Sequence, residues 1–180
     1  IAGGLGYLQA NASFSGPGLN PWNLKRWSGG SSTGPGSAVG GGLVPFAIGS
    51  ETWGSIMTPA AYCGISGLRP TFGRVSRYGA MSLSWSLDKL GPMCRTADDC
   101  GIVLNAIAGV DSLDNWSVDR KFSYSAAAQA GKKFRIGIIE DVAKDAQPEV
   151  RKNYQESLEA LSKFATLEPF TLPPMPWNEV

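Results

Sequence analysis

The chain of 180 residues is 43% hydrophobic and 17% charged, which are ordinary values for a globular protein long enough to bury a sizeable core. Its formal net charge of +1, without any run of Lys or Arg, excludes an electrostatic case for binding nucleic acid or an anionic membrane surface. The chain contains no histidine, which excludes a Ser–His–Asp triad, a Cys–His pair and a histidine-ligated metal within these residues.

The first elements in chain order are short and rich in small residues. Residues 1–30 are polar and turn-rich, and residues 36–43 are predicted as a buried helix, although three adjacent glycines argue against one. Val44–Ile48 is predicted as a short buried strand, and Gly49–Gly54 as the loop that leaves it. Glycines crowd into residues 29–54, which indicates backbone packed closely against a ligand or against another backbone.

Residues Thr96 to Gly109 carry the clearest helix pattern. Thr96 is followed three residues later by Asp99, an arrangement that caps helix N-termini, and Gly109 ends the pattern. Val103, Ala106 and Ile107 fall on one face, which we expect to be buried.

The last third of the chain predicts a strand followed by a helix. Residues 112–132 form a polar, weakly patterned connector. Phe134–Ile139 is apolar and β-branched, as expected of a strand that is covered on both faces. Gln147–Phe164 follows as an amphipathic helix. This alternation of strand and helix predicts an α/β layered fold.

The three cysteines, Cys63, Cys94 and Cys100, cannot all pair with one another, and their spacing matches no metal or redox motif. We therefore expect buried, reduced thiols in a cytoplasmic protein. No apolar run approaches the length of a membrane span. The chain opens at Ile1 within a pattern and stops at Val180 after a Pro-rich turn, so we expect an incomplete fragment of a longer protein.

Two local motifs match the Ser- and Gly-rich centre, residues 28–59, only in part. Gly34 to Gly40 begins like the dinucleotide-binding fingerprint, but its third glycine comes one place too late and no convincing strand precedes it. The run from Gly30 to Gly34 matches G-x-S-x-G with Ser32 at its centre, yet that motif requires a strand-to-helix turn and a histidine partner. We interpret both matches as accidental, and we expect no cofactor and no metal.

A longer pattern accounts for the whole centre. A Gly-Gly-Ser-Ser element at residues 29–32 is followed by a Gly-Ser-Ile loop at residues 54–56, and Ser55 comes 24 residues after Ser31. Two Ser/Gly loops joined by a small-residue segment and a strand can bring two hydroxyl groups together at one end of a sheet. This arrangement resembles the signature of the amidase signature family, whose members hydrolyse amides through a Ser–cis-Ser–Lys triad.

The resemblance extends well beyond the two serines. It continues through residues 63–76 and 88–93, is detailed over residues 19–111, and is weaker over residues 133–180. It implies that residues 1–180 are the central fragment of a single amidase-signature domain. The implied fold is α/β, with a mixed β-sheet core covered by helices on both faces. The signature region is then followed by the connector and a strand–helix extension.

The resemblance assigns the chemistry to two hydroxyl groups. It implies that Ser55 attacks the carbonyl carbon to form an acyl-enzyme, and that Ser31, which follows a cis peptide bond after Gly30, accepts its proton. A neutral lysine then takes the proton from Ser31, because a serine hydroxyl is a poor nucleophile at neutral pH without a base. The sequence leaves open whether Ser32 hydrogen-bonds within the site or only shapes the loop.

The lysine of this relay is not evident in the chain. In the family it lies tens of residues upstream of the Gly-Gly-Ser-Ser element, whereas Lys25 comes only six residues before Ser31 and lacks the surrounding pattern. We predict Lys25 as a solvated loop residue and expect the base to lie outside these residues. The fragment alone would then be inactive.

The resemblance also places an oxyanion hole at four backbone N–H groups. These are the N–H groups of Thr52, Trp53, Gly54 and Ser55. The family usually has Gly at position 53, and Trp resists the positive φ that Gly accepts, so either φ stays negative at Trp53 or the hole differs in shape. The Trp53 indole either lines the substrate pocket or packs against the sheet. Met57 either makes the pocket apolar or lies in the core, and the core is the position that we predict.

We therefore predict an amide-bond hydrolase, with esters and carbamates left open as further substrates. The alternatives are the hydrolase subunit of a tRNA-dependent amidotransferase, which supplies ammonia to a partner, and a non-catalytic member that keeps the fold. The hydrolase subunits of such amidotransferases usually have Gly-Gly-Ser-Ile-Arg-Gln where this chain has residues 53–58, which disfavours the first alternative. The predicted partner is a small-molecule amide substrate, with no nucleic acid and no membrane, and a homodimer is left open.

Overall fold

The computed structural model describes residues 16–129 and 131–174, which form two compact units. The first unit ends at Ala128 and the second begins at Gln129. The first contains three α-helices of seven residues or more, five strands and all but the last residue of one short helix. Its elements are β1 (Leu19–Asn20), β2 (Asn23–Trp27), α1 (Thr33–Gly40), β3 (Phe46–Glu51), α2 (Met57–Cys63), β4 (Ser66–Gly67), β5 (Lys89–Cys94), α3 (Ala97–Ile107) and α4 (Ala126–Gln129).

A three-stranded antiparallel sheet with the order β3-β5-β4 forms the centre of the first unit. Neighbouring residues of β5 point to opposite faces of this sheet. Met93 packs with Ile56 and Ala60 of the α2 region, whereas Cys94 contacts Cys100 of α3. Helices therefore cover both faces. Together with a parallel strand pair in the second unit, this confirms the predicted mixed α/β fold class.

Helix α3 confirms the predicted cap and corrects the predicted face. The backbone N–H of Asp99 donates to Thr96 Oγ1 at 3.1 Å, as in a capping box. The buried residues of the helix, however, are Cys100, Gly101 and Leu104, and Ala106 is exposed. The buried face differs from the predicted one because the prediction left out two small residues, Cys100 and Gly101. These residues are buried and allow the helix to approach its neighbours closely.

The helix and strand between the two serine loops are shifted from their predicted positions. Helix α1 begins at Thr33 and ends at Gly40, three residues earlier than predicted, so that most of the adjacent glycines lie in the following turn. Strand β3 runs from Phe46 to Glu51, whereas the sequence predicted Val44–Ile48 and a loop from residue 49. The ladder with β5 keeps this segment extended through Glu51, a tertiary effect that local sequence does not show.

The second unit is a strand–helix–strand arrangement. Its elements are β6 (Phe134–Ile139), α5 (Pro148–Ser162) and β7 (Ala165–Phe170), and β6 pairs with β7 in parallel. Parallel pairing requires a crossover connection, which α5 supplies. The bounds predicted for β6 are confirmed, but the expected cover on both faces is not seen in this unit, because half or more of its side chains are exposed.

All three cysteines are free and buried, as the sequence predicted. Burial raises the pKa of the Cys63 thiol to about 11 and that of the Cys94 thiol to about 12, where the contact with Cys100 adds to the rise. These thiols therefore remain protonated at neutral pH. Within residues 16–129 and 131–174, none of the helices has the length and apolar character needed to cross a bilayer.

Candidate active site

The two serine loops predicted from the sequence meet through direct hydrogen bonds. The backbone N–H of Ser32 donates to the carbonyl oxygen of Ser55 at 3.1 Å. The Ser32 hydroxyl is fully buried, accepts from the backbone N–H of Ser50 at 3.1 Å and donates to the Ser50 carbonyl at 3.1 Å. Three hydrogen bonds thus join the loop before α1 to the end of β3 and the loop after it. The backbone and the hydroxyl of Ser32 therefore hold the two loops together.

Ser31 lies next to this junction, directly before helix α1. It is half-buried between the buried residues Gly30 and Ser32, and the peptide bond from Gly30 to Ser31 is cis, as the family resemblance implies. Because Ser32 bonds to the carbonyl of Ser55, the backbones of the two proposed catalytic serines are held close together. Neighbouring backbones are a precondition for a proton relay between the two hydroxyl groups.

The loop before Ser31 approaches the helix after Ser55 closely. Gly29 has a φ of 84°, and a Cβ atom there would lie 2.9 Å from Pro59 Cα. Any side chain at position 29 would therefore clash with the backbone of α2. The glycine crowding in the sequence is explained here by contact with another backbone, which is one of the two alternatives it left open.

Ser55 is 9% exposed and lies in the tight connection between β3 and α2. Gly54 before it has a φ of 143°, a conformation that a glycine accepts without strain. Asp141 is the one non-glycine residue with positive φ in the described part of the chain, so Trp53 does not take the left-handed conformation. The sequence posed two alternatives for this loop, and the structure corresponds to the one in which φ stays negative at position 53.

The Trp53 indole is 74% exposed, so it does not pack against the sheet. Met57, two residues after Ser55, is 46% exposed, and its predicted place in the core is wrong. Its position at the start of α2 explains this, because the buried face of that helix is formed by Pro59, Ala60 and Cys63. Both side chains are therefore on the surface beside Ser55.

Glu51 holds the Ser55 loop from inside. Its side chain is fully buried, and its Oε2 accepts from the backbone N–H groups of Ile56 at 2.7 Å and Met57 at 3.0 Å. Its Oε1 pairs with the Arg69 guanidinium at 3.3 Å. A carboxylate at the N-terminus of α2 satisfies N–H groups that have no partner within the helix.

Sequence reasoning missed Asp88 and Lys89 as residues of this region. Asp88 Oδ1 accepts a hydrogen bond from the Thr52 hydroxyl at 2.6 Å, and Lys89 Nζ donates one to the Thr52 carbonyl oxygen at 3.3 Å. Only the register of β3 against β5 brings them to Thr52, so no local signal could have found them. Lys25 is exposed, as predicted, but it lies in strand β2 rather than in a loop.

Neither of the two best-defined cavities of the described residues is lined by a predicted site residue. One is lined by residues of the second unit, and the other by Thr71, Phe72, Arg74, Val118 and Arg120. In residues 16–129 and 131–174, no group of three or more His, Cys, Asp or Glu side chains could hold a metal ion.

The chain is similar to known proteins over most of its length. A family model described as Amidase matches residues 4–177. The A subunit of the glutamyl-tRNA(Gln) amidotransferase of Legionella pneumophila is 48% identical over 158 residues, which cover 86% of this chain and 32% of the relative.

Two solved structures are also similar. That of the A subunit of the glutamyl-tRNA(Gln) amidotransferase from Thermotoga maritima has a TM-score of 0.76 at 37% identity, over 86% of this chain and 35% of that one. That of a bacterial aryl acylamidase of the amidase signature family has a TM-score of 0.78 at 30% identity, over 99% of this chain and 37% of that one. The chain spans about a third of the length of these relatives.

These relatives correct the predicted partners. Two of them are named as part of an amidotransferase for glutamyl-tRNA(Gln), so the prediction that excluded a nucleic-acid partner is wrong. The prediction rested on the net charge of +1, which describes these 180 residues alone. A weakly charged part of one protein can belong to an assembly that contacts RNA through other surfaces.

Proposed function

The chain belongs to the amidase signature family, and from this we propose that it is the central part of the hydrolase subunit of a tRNA-dependent amidotransferase. In this role Ser55 hydrolyses an amide and the released ammonia passes to a partner protein. The observation that carries the proposal is the hydrogen bond from the Ser32 N–H to the Ser55 carbonyl, which brings the two predicted serine loops together. The 48% identity to the A subunit of a glutamyl-tRNA(Gln) amidotransferase supports the choice of partner.

The proposed chemistry begins with proton transfer between the two serines. Ser55 Oγ attacks the amide carbonyl carbon as its proton passes to Ser31 Oγ, and Ser31 gives its own proton to a neutral lysine. The lysine then protonates the leaving nitrogen, which departs as ammonia and leaves an acyl group on Ser55. Water hydrolyses this ester by the reverse relay.

The oxyanion formed on attack is proposed to receive hydrogen bonds from the backbone N–H groups of Thr52, Trp53, Gly54 and Ser55. Loss of one such donor typically costs about 10²- to 10³-fold in rate. The buried carboxylate of Glu51 supports this geometry, because it fixes the two N–H groups that follow Ser55. Ser32 supports the relay by fixing the loop that carries Ser31, and Gly30, which has no side chain, avoids crowding beside Ser31.

A serine-reactive fluorophosphonate tests the nucleophile. We expect the complete protein to be labelled at Ser55, and Ser55→Ala to abolish the labelling while Ser37→Ala keeps it. Labelling that persists in Ser55→Ala would show that another residue is the nucleophile. Ammonia release from primary amides, with and without co-purified partner proteins and tRNA, tests the amidotransferase role.

A stand-alone amidase is the second candidate. The observation that favours it is the run Trp53-Gly54-Ser55-Ile56-Met57-Thr58, which departs from the Gly-Gly-Ser-Ile-Arg-Gln run usual in the hydrolase subunits of amidotransferases. The exposed Trp53 and Met57 side chains would then give the surface beside Ser55 an apolar character suited to a larger amide. Full turnover of aryl amides by the purified protein, without any partner protein, would favour this candidate.

Two further points are proposals of the same kind. We propose a cytoplasmic location, which three buried cysteines without a disulfide support. We also propose that residues 1–180 alone are inactive, since the lysine of the relay is expected outside them. Amide hydrolysis by the isolated 180-residue chain would contradict this second point.

A further inference from the structure

Thr52, the first residue after β3, is held from two sides by the residues that open β5. Glu51 is the register partner of Lys89 in the antiparallel ladder, so Thr52 and Asp88 lie opposite each other just beyond the paired residues. The Thr52 hydroxyl donates to Asp88 Oδ1 at 2.6 Å. Lys89 Nζ donates to the Thr52 carbonyl oxygen at 3.3 Å. The side chain and the carbonyl of Thr52 are therefore fixed by consecutive residues.

The carbonyl of Thr52 belongs to the same peptide group as the N–H of Trp53. The one cis peptide bond in the described residues is Gly30–Ser31, so the Thr52–Trp53 bond is trans. In a planar trans peptide the C=O and N–H point in opposite directions. An interaction that fixes the Thr52 oxygen therefore also fixes the direction of the Trp53 N–H, one of the proposed oxyanion donors.

The charge on Lys89 adds to this geometric effect. At 3.3 Å the hydrogen bond is long, so much of its effect is the attraction between the ammonium charge and the carbonyl dipole. A cation beside the carbonyl oxygen polarises the peptide group and makes its N–H a stronger donor. Lys89 is half-buried, which shields this interaction in part from solvent.

Burial and nearby charged groups shift the pKa of Lys89. Burial and the nearby Arg69 cation lower the pKa of Lys89, while the carboxylates of Glu51 and Asp88 oppose that change. Glu51 lies on β3, Arg69 follows β4 and Asp88 precedes Lys89 directly. Lys89 thus lies near two carboxylates and a guanidinium, beside the proposed oxyanion hole.

We propose that Lys89 is a positioning residue for oxyanion stabilisation, acting through the Thr52–Trp53 peptide group. This inference rests on the proposed function, because it needs an oxyanion formed by attack of Ser55. This role differs from that of the relay lysine, which takes a proton from Ser31, because Lys89 Nζ donates a hydrogen bond to the Thr52 carbonyl oxygen. The Trp53 N–H contacts the reacting oxygen, and Lys89 acts on it from the opposite side of the peptide.

The test compares steady-state kinetics of the complete protein with a primary amide substrate. Lys89→Met and Lys89→Gln remove the charge, Lys89→Arg keeps it, and Lys163→Met is the control at an exposed lysine at the end of α5. We expect both neutral variants to lower kcat by about tenfold, less than the 10²- to 10³-fold that follows loss of a whole donor. KM should stay within about twofold, and Lys89→Arg should recover most of kcat.

Each other outcome overturns the inference. A kcat within about twofold of the wild type in both neutral variants would show that Lys89 has no part in oxyanion stabilisation. An equal loss in Lys89→Arg, or a rise in KM with kcat unchanged, would assign Lys89 to packing or to substrate binding. Failure of the proposed function is separate, because the wild-type protein would then lack Ser55 labelling by fluorophosphonate.

Discussion

The paired serine loops, residues 28–33 and 49–57, hold their polar groups differently from the strand–helix unit, residues 131–174. In the loops Ser28, Ser32 and Glu51 are fully buried, and each hydroxyl or carboxylate is hydrogen-bonded. In the strand–helix unit, α5 has no buried residue. The serine loops thus bury hydrogen-bonded polar groups, whereas α5 buries none.

The ion pairs of the two regions illustrate the difference. The side chain of Glu51 is 0% exposed and bonds to two backbone N–H groups as well as to Arg69. The pair between Arg135 and Glu168 has a shorter N–O distance, 2.6 Å, but its side chains are 79% and 41% exposed. An exposed pair contributes little, whereas a buried group that loses its partner costs its full desolvation. Burial, rather than distance, therefore indicates which contact fixes the site.

The largest expected effect comes from removing the proposed nucleophile. Ser55→Ala should lower kcat by about 10⁴- to 10⁶-fold, since loss of a serine nucleophile leaves only binding and oxyanion stabilisation. Ser37→Ala is the control, because Ser37 is a half-buried serine of α1 whose hydroxyl donates to the Leu19 carbonyl. Steady-state amide hydrolysis measures both variants. A loss of similar size in both would contradict the special place given to the serine loops.

The next largest effect is on stability, where removal of the buried Glu51 carboxylate is compared with removal of the exposed Glu168 carboxylate. Glu51→Ala should lower the free energy of unfolding by about 2–4 kcal/mol, because it leaves the N–H groups of Ile56 and Met57 without their acceptor. The partly exposed Arg69 side chain can turn to solvent, so its lost partner adds little. Glu168→Ala should leave the denaturation midpoint unchanged within error. Urea unfolding of both variants checks this, and equal losses would remove the distinction between the regions.

The sequence predicted the elements that follow local rules. The cap at Thr96 and Asp99 defined the start of α3, and the β-branched run Phe134–Ile139 defined β6, since both signals lie within a few residues. These two features depend on short stretches whose meaning does not change with context. The pairing of the two serine loops was predicted differently, from the resemblance to the amidase signature family.

The contacts that depend on the register between strands could not be predicted. Asp88 and Lys89 reach Thr52 only because β3 pairs with β5 from Glu51 and Lys89 onward. Nothing in the local sequence around Glu51 shows that the fold buries its side chain. A glycine count indicated close backbone approach, but only the fold shows that Pro59 is the neighbour of Gly29.

A smaller effect is expected when the hydrogen bonds between the loops are removed. Ser32→Ala should lower the free energy of unfolding by about 1–2 kcal/mol, because the N–H and carbonyl of Ser50 lose their partner in a partly buried place. Ser157→Ala removes a hydroxyl that donates within exposed α5, and it should have no measurable effect. Thermal unfolding compares the two. A similar loss in Ser157→Ala would show that burial does not decide the cost.

The smallest expected effect is a pH dependence of the protein's stability that comes from Asp88. Burial alone would raise the pKa of its carboxyl, but hydrogen bonds from Thr52, Ser84, Leu83 and Ser82 outweigh it and hold the pKa below the ordinary value. A carboxyl with a lowered folded-state pKa contributes stability above its unfolded pKa of about 3.9 and loses it as the pH falls through the folded value.

Asp88→Asn removes this titration and leaves an amide where Oδ2 accepts from the backbone N–H groups of Leu83 and Ser84. We therefore expect the variant to be less stable than the wild type at pH 7 and pH 5, by the same margin. Below about pH 4 the margin should narrow, because the wild-type carboxyl becomes protonated and loses its advantage as an acceptor. Urea unfolding of the wild type and the variant from pH 7 to pH 3 measures this difference in stability. A margin that stays constant to pH 3 would mean that the charge of Asp88 does not hold the loop at Thr52.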